Sequence, residues 1–408
     1  MKQASILCFS PPGKETARRL REYLKSAYPD WNVKVFAKGR FAAESEPEAR
    51  PEGLAAAETA TERADVIPLT ASLADWGKQH FAQDDCLIFV GSAGIAVRTI
   101  GPLAVSKKTD PAVLVVDDRL QYVIPILSGH LGGANAIACR LAAMTGAEAV
   151  LTTATDVHRK LAPDVFAQRN GLKIMDFTAA KLVAAALVRG ETITIYTDAA
   201  VEGAVPDEVR LAGLEAFADY HGGGAMLISP RKPELTDKPE VLWLVPQTVY
   251  LGIGLKAGKP EEAVAQAVEA CLAQAGVDPA ALAGAASIDI KREEAGLLHF
   301  AAERHLPLQF YTAAELNQVE GSFTGSAFVK QITGTDNVCE RGALLLASVD
   351  AEAGTPQNNG SALLLQPKTA MDGVTAALAM KKGSIRFESD LCCRHRAGRL
   401  PKNDHRSL

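Results

Sequence analysis

The sequence has few aromatic residues, few cysteines and no long apolar run. Aromatic residues make up 6% of the 408 residues, and the seven cysteines are an odd number with no C-x-x-C spacing. This disfavours a disulfide scaffold or a zinc or iron–sulfur site and fits a reducing cytoplasm. No stretch approaches the roughly 18 apolar residues of a membrane-spanning helix, and Pro11 and Pro12 come too early for a signal peptide. We expect a cytoplasmic protein without a membrane partner.

A broad positive surface is also missing. Lys plus Arg is 43 and Asp plus Glu is 48, a formal net charge of −5, which disfavours nucleic acid as a partner. The charge is uneven, because residues 381–408 hold eight Lys or Arg against three Asp or Glu, or +5, so the rest carries −10. This basic end and the polar, aperiodic stretch 38–65 are both predicted to be surface segments that need not be ordered.

Strand-like and helix-like runs alternate along the remaining chain, which predicts an α/β protein. Its length allows two or three domains. The pattern restarts twice, so we predict three consecutive small α/β units with mostly parallel sheets. Their bounds are 1–130 for an N-terminal domain, 131–246 for a central domain and 247–383 for a C-terminal domain, with 384–408 as a basic, flexible tail.

Three Gly-rich stretches stand between a predicted strand and helix: GSAGIA (91–96), SGHLGGAN (128–135) and GIGLKAGKP (252–260). Such turns can hold a carboxylate or phosphate with backbone N–H groups at a helix start, or they can be tight turns that need glycine only for their backbone angles. None has the glycine spacing of a P-loop or of a dinucleotide-binding turn, so a kinase or dehydrogenase is disfavoured.

His130 lies in the second of these turns, directly after the apolar run YVIPIL. Asp156 ends AVLTTATD, a predicted strand with Thr152 and Thr153 near its polar end. Ligands of open α/β sheets bind beyond the carboxyl ends of strands, so both side chains are candidates for an acid or a base. The alternatives are that His130 completes the turn and that Asp156 caps a helix.

The last predicted unit offers a second group of polar residues. Period-two alternation in SIDIK would put Ser287, Asp289 and Lys291 on one face of a strand. Glu294 stands at a predicted helix start, where an acidic residue ordinarily compensates the helix dipole. Cys339 has no neighbouring histidine in the sequence, which predicts a core residue rather than a nucleophile.

Six segments are characteristic in combination: KKTDPAVLVVD, YVIPILSGHLGGAN, VLTTATD, LGIGLKAGKP, ASIDIKREEAGLL and SAFVKQITGTDNVCERGALL. In them the chain closely resembles the cobalt-precorrin-5A hydrolases of anaerobic cobalamin biosynthesis. The resemblance covers most of residues 80–380, and SGHLGGAN followed by TTATD is its most specific part. The last unit resembles the C-terminal domain of that family, which also occurs alone in corrinoid pathways.

The resemblance implies a hydrolase that opens the ring A δ-lactone of cobalt-precorrin-5A and releases acetaldehyde to give cobalt-precorrin-5B. Cobalt then belongs to the substrate, so no cofactor and no metal site of the protein are expected. The expected partner is the anionic, cobalt-containing tetrapyrrole, and neighbouring pathway enzymes are further candidates. The alternative is a non-catalytic corrinoid carrier or assembly module, and a phosphate-binding transferase is weakened by the P-loop spacing.

This reaction needs a base, donors for an oxyanion and cations for the substrate carboxylates. We predict His130 and Asp156 as catalytic residues, with one of the two as the base. The predicted substrate-binding residues are Gly91, Gly94, Arg98, Gly132, Gly133, Asn135, Thr152, Thr153, Gly252, Gly254, Ser287, Lys291, Glu294, Ser326, Lys330, Glu340 and Lys368. Lys107 is a further candidate cation.

Overall fold

The computed structural model describes residues 1–39, 65–106, 109–158, 160–349 and 362–387. One compact unit covers Met1–Lys160, and another begins at Leu161 and runs to the end of the described chain. Most of the predicted excursion at 38–65, the basic tail beyond Phe387, and Lys107 lie outside the described residues.

The first unit is built on a seven-stranded sheet in the order β3-β2-β1-β4-β5-β6-β7. Strands β1 to β5 are parallel, β6 is antiparallel to β5, and β7 is parallel to β6. The strands are β1 (Gln3–Cys8), β2 (Asn32–Ala37), β3 (Ile67–Pro68), β4 (Cys86–Val90), β5 (Ala112–Val116), β6 (Tyr122–Leu127) and β7 (Glu148–Ala149). The helices are α1 (Pro11–Ala27), α2 (Leu73–Gln83), α3 (Ala93–Ile100), α4 (Ala134–Thr145) and α5 (Ala154–Val157).

Continuous apolar runs place the middle strands of this sheet. Every residue of β4 and β5 is buried, as expected for parallel strands covered on both faces. Helix α1 packs one apolar stripe, including Leu20 and Leu24, against the sheet. The Ser10 side chain caps its start by accepting from the N–H of Gly13. The centre of the unit is therefore a buried apolar sheet.

In its described residues, the second unit forms two five-stranded sheets and a two-stranded one. Its strands are β8 (Leu172–Ile174), β9 (Ile193–Tyr196), β10 (Ala200–Gly203), β11 (Val209–Ala212), β12 (Ala225–Ile228), β13 (Val241–Pro246), β14 (Val249–Leu255), β15 (Leu282–Ile288), β16 (Leu308–Tyr311), β17 (Ala362–Met371), β18 (Val374–Lys381) and β19 (Ser384–Phe387). Its helices are α6 (Pro163–Arg169), α7 (Phe177–Val188), α8 (Glu261–Ala275), α9 (Ala295–Glu303), α10 (Ala313–Asn317), α11 (Ala327–Thr333) and α12 (Cys339–Ser348).

Parallel pairing dominates in this unit as well. One sheet has the order β11-β9-β12-β13-β8, with only β8 antiparallel to its neighbour. The other has the order β16-β15-β14-β18-β17, in which the first three strands are parallel and the hairpin β17–β18 is antiparallel. The predicted α/β class with mostly parallel sheets is confirmed.

The two larger sheets of the second unit share a hydrophobic core. Tyr196 and Trp243 of one sheet belong to the same buried cluster as Val249 and Leu251 of the other. The predicted boundary after residue 246 falls within this core, and the predicted boundary after residue 130 falls between β6 and α4 of the first unit. The three-domain division stays a prediction.

Two local predictions are wrong. The strand expected at AVLTTATD (149–156) ends at the first of these residues, Ala149, and Ala154–Val157 form the short helix α5. Likewise, Asp289–Lys291 form a 3-10 turn closed by the N–H of Arg292 bonding to the carbonyl of Asp289, so only Ser287 lies on a strand.

The predicted flexible tail begins too early. Residues 384–387 form β19, which pairs in parallel with β10. Ile385 and Phe387 are buried, and Phe387 packs on Phe166 with ring centroids 5.2 Å apart. The alternation of apolar and polar residues in SIRF is a strand signal, but the surrounding basic residues masked it in the sequence.

Candidate active site

The turn after β6 presents His130 at one edge of the first sheet. Because β6 and β7 are parallel to each other, their carboxyl ends share that edge. Ser128 has a positive φ of 53° and donates its hydroxyl to the carbonyl of Asp110 at 2.9 Å. Gly133 has φ 85°, where a side chain would be strained. The tight turn therefore fixes the position of His130 next to the chain that follows β7.

His130 and Asp156 meet at this edge, as predicted. His130 Nε2 lies 3.4 Å from Asp156 Oδ2 and 3.1 Å from the Thr155 hydroxyl. The Asn135 side-chain amide donates to Asp156 Oδ2 at 2.8 Å and to the Thr153 hydroxyl at 3.0 Å. Thr153 also donates to Asp156 Oδ2. About a fifth of each of the His130 and Asp156 side chains is exposed, at 22% and 23%, so a ligand can reach both.

The environment of Asp156 keeps it ionised. Burial by itself would raise the pKa of this carboxyl group. The hydrogen bonds from His130, Thr153 and Asn135 outweigh burial and hold the pKa of Asp156 below its ordinary value. A carboxylate that stays charged at neutral pH is a weak base but stabilises a positive charge on a neighbouring imidazole. The geometry therefore favours His130 as the base and Asp156 as the residue that orients it.

Some predicted residues of this turn have structural partners. The N–H of Gly133 donates to the carbonyl of His130 at 2.9 Å, and the N–H of Asn135 donates to that of Gly129 at 3.0 Å. These two amides are thus not oriented towards a ligand.

Gly132 is needed for close packing, since a Cβ there would lie 2.4 Å from Cβ of Ser128. Thr152 is exposed, whereas Thr155, which the sequence reasoning missed, contacts His130.

The GSAG turn is not part of this site. Gly91 and Gly94 follow β4, which is antiparallel in direction to β6, so they stand at the opposite edge of the first sheet from His130. Arg98 lies on α3 with its guanidinium 3.3 Å from the position of a Cβ on Gly94. Any substrate contact by these three residues would therefore be separate from the histidine–carboxylate pair.

Three predicted binding residues of the second unit are packing residues. Gly252 and Gly254 lie inside β14 rather than in a turn. A Cβ on Gly252 would come 1.8 Å from the carbonyl oxygen of Cys339, so glycine allows α12 to approach the strand. Ser287 is fully buried and donates to the carbonyl of Ile253 at 2.8 Å, which places its hydroxyl out of reach of a ligand.

Glu340 is buried with both carboxylate oxygens bonded within the protein. Its Oε2 accepts from the N–H of Thr324 at 2.9 Å and from the Asn337 side chain at 2.6 Å, and its Oε1 accepts from the N–H of Lys368 at 2.7 Å. Glu340 thus anchors a loop and a strand and does not face a ligand. Cys339 beside it is buried, and burial raises its pKa to about 12, which fits the predicted core role.

The other candidates of this unit lie nearer the surface. Lys291 Nζ contacts Glu294 Oε1 at 2.8 Å, and the N–H of Gly258 donates to Oε2 at 2.9 Å. The lysine and this amide together lower the pKa of Glu294. Lys330 is exposed on α11, and the side chain of Ser326 caps the start of that helix.

Among the described residues, no group of three or more His, Cys, Asp or Glu side chains has an arrangement that could hold a metal ion. The helices in the described parts of the chain are also all too short or too polar to cross a membrane.

Comparisons with known proteins define the class of this chain. Three family profiles match it: Cobalamin synthesis G N-terminal at residues 75–156, Cobalamin biosynthesis central region at 161–246 and Cobalamin synthesis G C-terminus at 249–379. The chain is thus a cobalamin-biosynthesis protein of the G type, with all three regions in order, and both His130 and Asp156 fall in the first matched region.

Individual relatives make the assignment narrower. The cobalt-precorrin-5A hydrolase of Salmonella typhimurium is 36% identical over 312 residues, which is 73% of this chain and 86% of the relative. That of Priestia megaterium is 29% identical over 274 residues, covering 65% and 73%. Protein CobE of Sinorhizobium sp is 34% identical over 132 residues, 32% of this chain and 79% of CobE. The chain belongs to the cobalt-precorrin-5A hydrolase family.

Proposed function

We propose that this protein hydrolyses the ring A δ-lactone of cobalt-precorrin-5A and releases acetaldehyde, giving cobalt-precorrin-5B. The contact between His130 and Asp156 is the observation that carries the proposal. Opening a lactone requires a base that is fixed in place and reachable by substrate, and this pair meets both conditions. Membership of the family supports the choice of substrate.

In the first step, a water molecule attacks the lactone carbonyl carbon while His130 takes a proton from that water molecule. The ionised Asp156 stabilises the positive charge that the imidazole gains. When the tetrahedral intermediate collapses, the ring C–O bond breaks and the proton passes to the departing oxygen. The products of this step are a carboxylate and a secondary alcohol on the same macrocycle.

In the second step, a base removes the proton of that alcohol and the adjacent carbon–carbon bond breaks. The carbon that bears the hydroxyl leaves as acetaldehyde, and the bonding electron pair passes into the conjugated macrocycle, which then takes up a proton. The cobalt held by the substrate helps to accept this charge. Because both steps begin with removal of a proton from oxygen, the same histidine can serve twice.

The test is acetaldehyde release from purified protein and the lactone substrate, detected with alcohol dehydrogenase and NADH. A carrier protein would bind the macrocycle without producing aldehyde. We further propose that the protein works in the cytoplasm without a cofactor of its own and hands its product to neighbouring pathway enzymes.

A further inference from the structure

Asn135 lies at the start of α4, and its side-chain amide is enclosed within the first unit. The residue is only 7% exposed, so the amide group needs partners inside the protein. Its Nδ2 donates to Asp156 Oδ2 at 2.8 Å and to the Thr153 hydroxyl at 3.0 Å. Because an ionised carboxylate can only accept, the nitrogen rather than the oxygen of the amide has to face Asp156. Both N–H groups of the Asn135 side chain are therefore used to hold the chain at α5.

The hydroxyl group of Thr153 connects the same two residues a second time. It accepts from Asn135 Nδ2, which can only donate, so the hydroxyl hydrogen is directed to Asp156 Oδ2. Thr153 directly precedes α5, a position from which a threonine side chain ordinarily caps the helix, yet here its side chain makes no capping bond. The Thr153 hydroxyl thus orients the carboxylate instead of completing the helix.

Gly129, the residue before His130, makes room for the Asn135 side chain. A Cβ on Gly129 would lie 2.7 Å from Asn135 Oδ1 and 3.1 Å from Nδ2, closer than unbonded atoms normally approach. The backbone N–H of Asn135 also donates to the carbonyl of Gly129 at 3.0 Å. The backbone next to His130 and the amide that holds Asp156 are therefore in direct contact, and a shift of one would move the other.

We propose that Asn135 is a positioning residue of the His130–Asp156 pair. It fixes the carboxylate of Asp156 directly and through the Thr153 hydroxyl. This inference rests on the proposed function, which makes the pair the base of the reaction. His130 Nε2, Asn135 Nδ2 and the Thr153 hydroxyl all meet the carboxylate at its Oδ2 atom. Without the two bonds that depend on Asn135, the carboxylate would be free to rotate and to move Oδ2 away from the imidazole.

The first test replaces Asn135 in the full chain. Asn135→Asp keeps the size of the side chain but sets a second carboxylate against Asp156, and Asn135→Ala removes the amide without adding a charge. In both variants kcat for acetaldehyde release should fall about tenfold to a hundredfold, the effect of losing a hydrogen bond to a charged group. KM should stay within about twofold, because the buried amide acts on the substrate only through the pair. Asn32→Asp, at an exposed position of the same unit, is the matched control and should leave both constants unchanged.

A double-mutant cycle distinguishes positioning from a general structural role. In a chain that already carries Asp156→Asn, adding Asn135→Ala should lower the single-turnover rate by less than about twofold. The reason is that the carboxylate through which Asn135 acts is no longer there. A loss of the same factor in both backgrounds would show that Asn135 only supports the fold and would overturn the proposal.

A third readout does not depend on catalysis. The pKa of Asp156 can be followed through the NMR signal of its carboxyl carbon, assigned with Asp156→Asn. Burial raises this pKa, and the hydrogen bond from Asn135 is among those that lower it, so the pKa should rise in Asn135→Ala and stay the same in Asn32→Asp. If wild-type protein released no acetaldehyde, the proposed function would fail, and the titration would still test Asn135. An unchanged pKa of Asp156 in Asn135→Ala would overturn the role of Asn135 alone.

Discussion

The imidazole of His130 and the carboxylate of Asp156 lie 3.4 Å apart although 26 positions separate them in the sequence. Asn135 and Thr153 bond the carboxylate, and Thr155 bonds the imidazole. A charged residue held by several partners is pre-organised, so the proposed proton uptake by His130 would need little rearrangement.

Replacing either member of the pair should therefore damage catalysis more than binding. His130→Gln and Asp156→Asn should each lower the rate of acetaldehyde release by about a hundredfold to ten-thousandfold, the usual cost of losing a general base or its orienting carboxylate. Substrate affinity, measured by titration, should change little. The exposed His299→Gln and Asp207→Asn are matched controls that should retain full activity. Near-normal turnover in both site variants would show that the reaction takes place at another site of the protein.

Asp156 also makes a prediction about pH. Its pKa is lower in the folded protein than the ordinary 3.8, so its hydrogen bonds stabilise the fold above about pH 4 and lose that effect as the pH falls through the folded pKa. The stability difference between wild type and Asp156→Asn should thus shrink as the pH falls below about 4. Urea unfolding at a series of pH values between about 5 and 2 measures it. A difference that grew over this acidic range would contradict the lowered pKa.

The sequence predicted a site with His130 and Asp156 because each lies in a polar stretch that follows an apolar run, and the structure brings their side chains to 3.4 Å from each other. The sequence could not show that Thr155 rather than Thr152 faces His130, because that depends on the helical turn α5 in place of the expected strand. The sequence also could not show whether Glu340 binds the substrate or holds a loop and a strand in place. That distinction depends on Asn337, Thr324 and Lys368, which come together only in the folded chain.

At the scale of elements, Glu340 joins the start of α12 to the loop before α11 and to β17. Glu340→Gln replaces one acceptor oxygen by an amide group that can only donate, so buried donors lose their partner. We expect the free energy of unfolding to fall by about 1–3 kcal/mol. Chemical denaturation measures this, with the exposed Glu293→Gln as the control. A variant as stable as wild type would show that these hydrogen bonds are not needed to hold the loop.

Strand β19 yields a truncation experiment. A chain ending at Gly383 lacks the buried side chains of Ile385 and Phe387 and should lose several kcal/mol of stability, since each large buried side chain contributes about 2–5 kcal/mol. A chain ending at Ser389 keeps β19 and should fold and turn over like the full chain, as expected if residues 390–408 are dispensable. Equal stability of the two truncated chains would mean that β19 contributes little.

On the scale of the whole molecule, composition and periodicity were enough for the α/β class. Runs such as CLIFV and AVLVV are typical of strands that are buried on both faces, as in a covered parallel sheet. Composition and periodicity could not predict that β6 runs antiparallel to β5. This direction places the GSAG turn and His130 at opposite edges of one sheet. The shared core around Trp243 and Val249 was equally hidden, because a restart of the strand–helix pattern is compatible with separate domains and with one packed unit.

The central claim is that a chain with this histidine–carboxylate pair opens the lactone and splits off a two-carbon aldehyde. Its most direct test is a single-turnover reaction of purified protein with cobalt-precorrin-5A in which acetaldehyde is counted against substrate consumed. We expect one equivalent of acetaldehyde per lactone opened by the wild-type protein, and a rate at least about a hundredfold lower with His130→Gln. Tight binding of the substrate with no aldehyde formed, or equal rates for the two proteins, would contradict it.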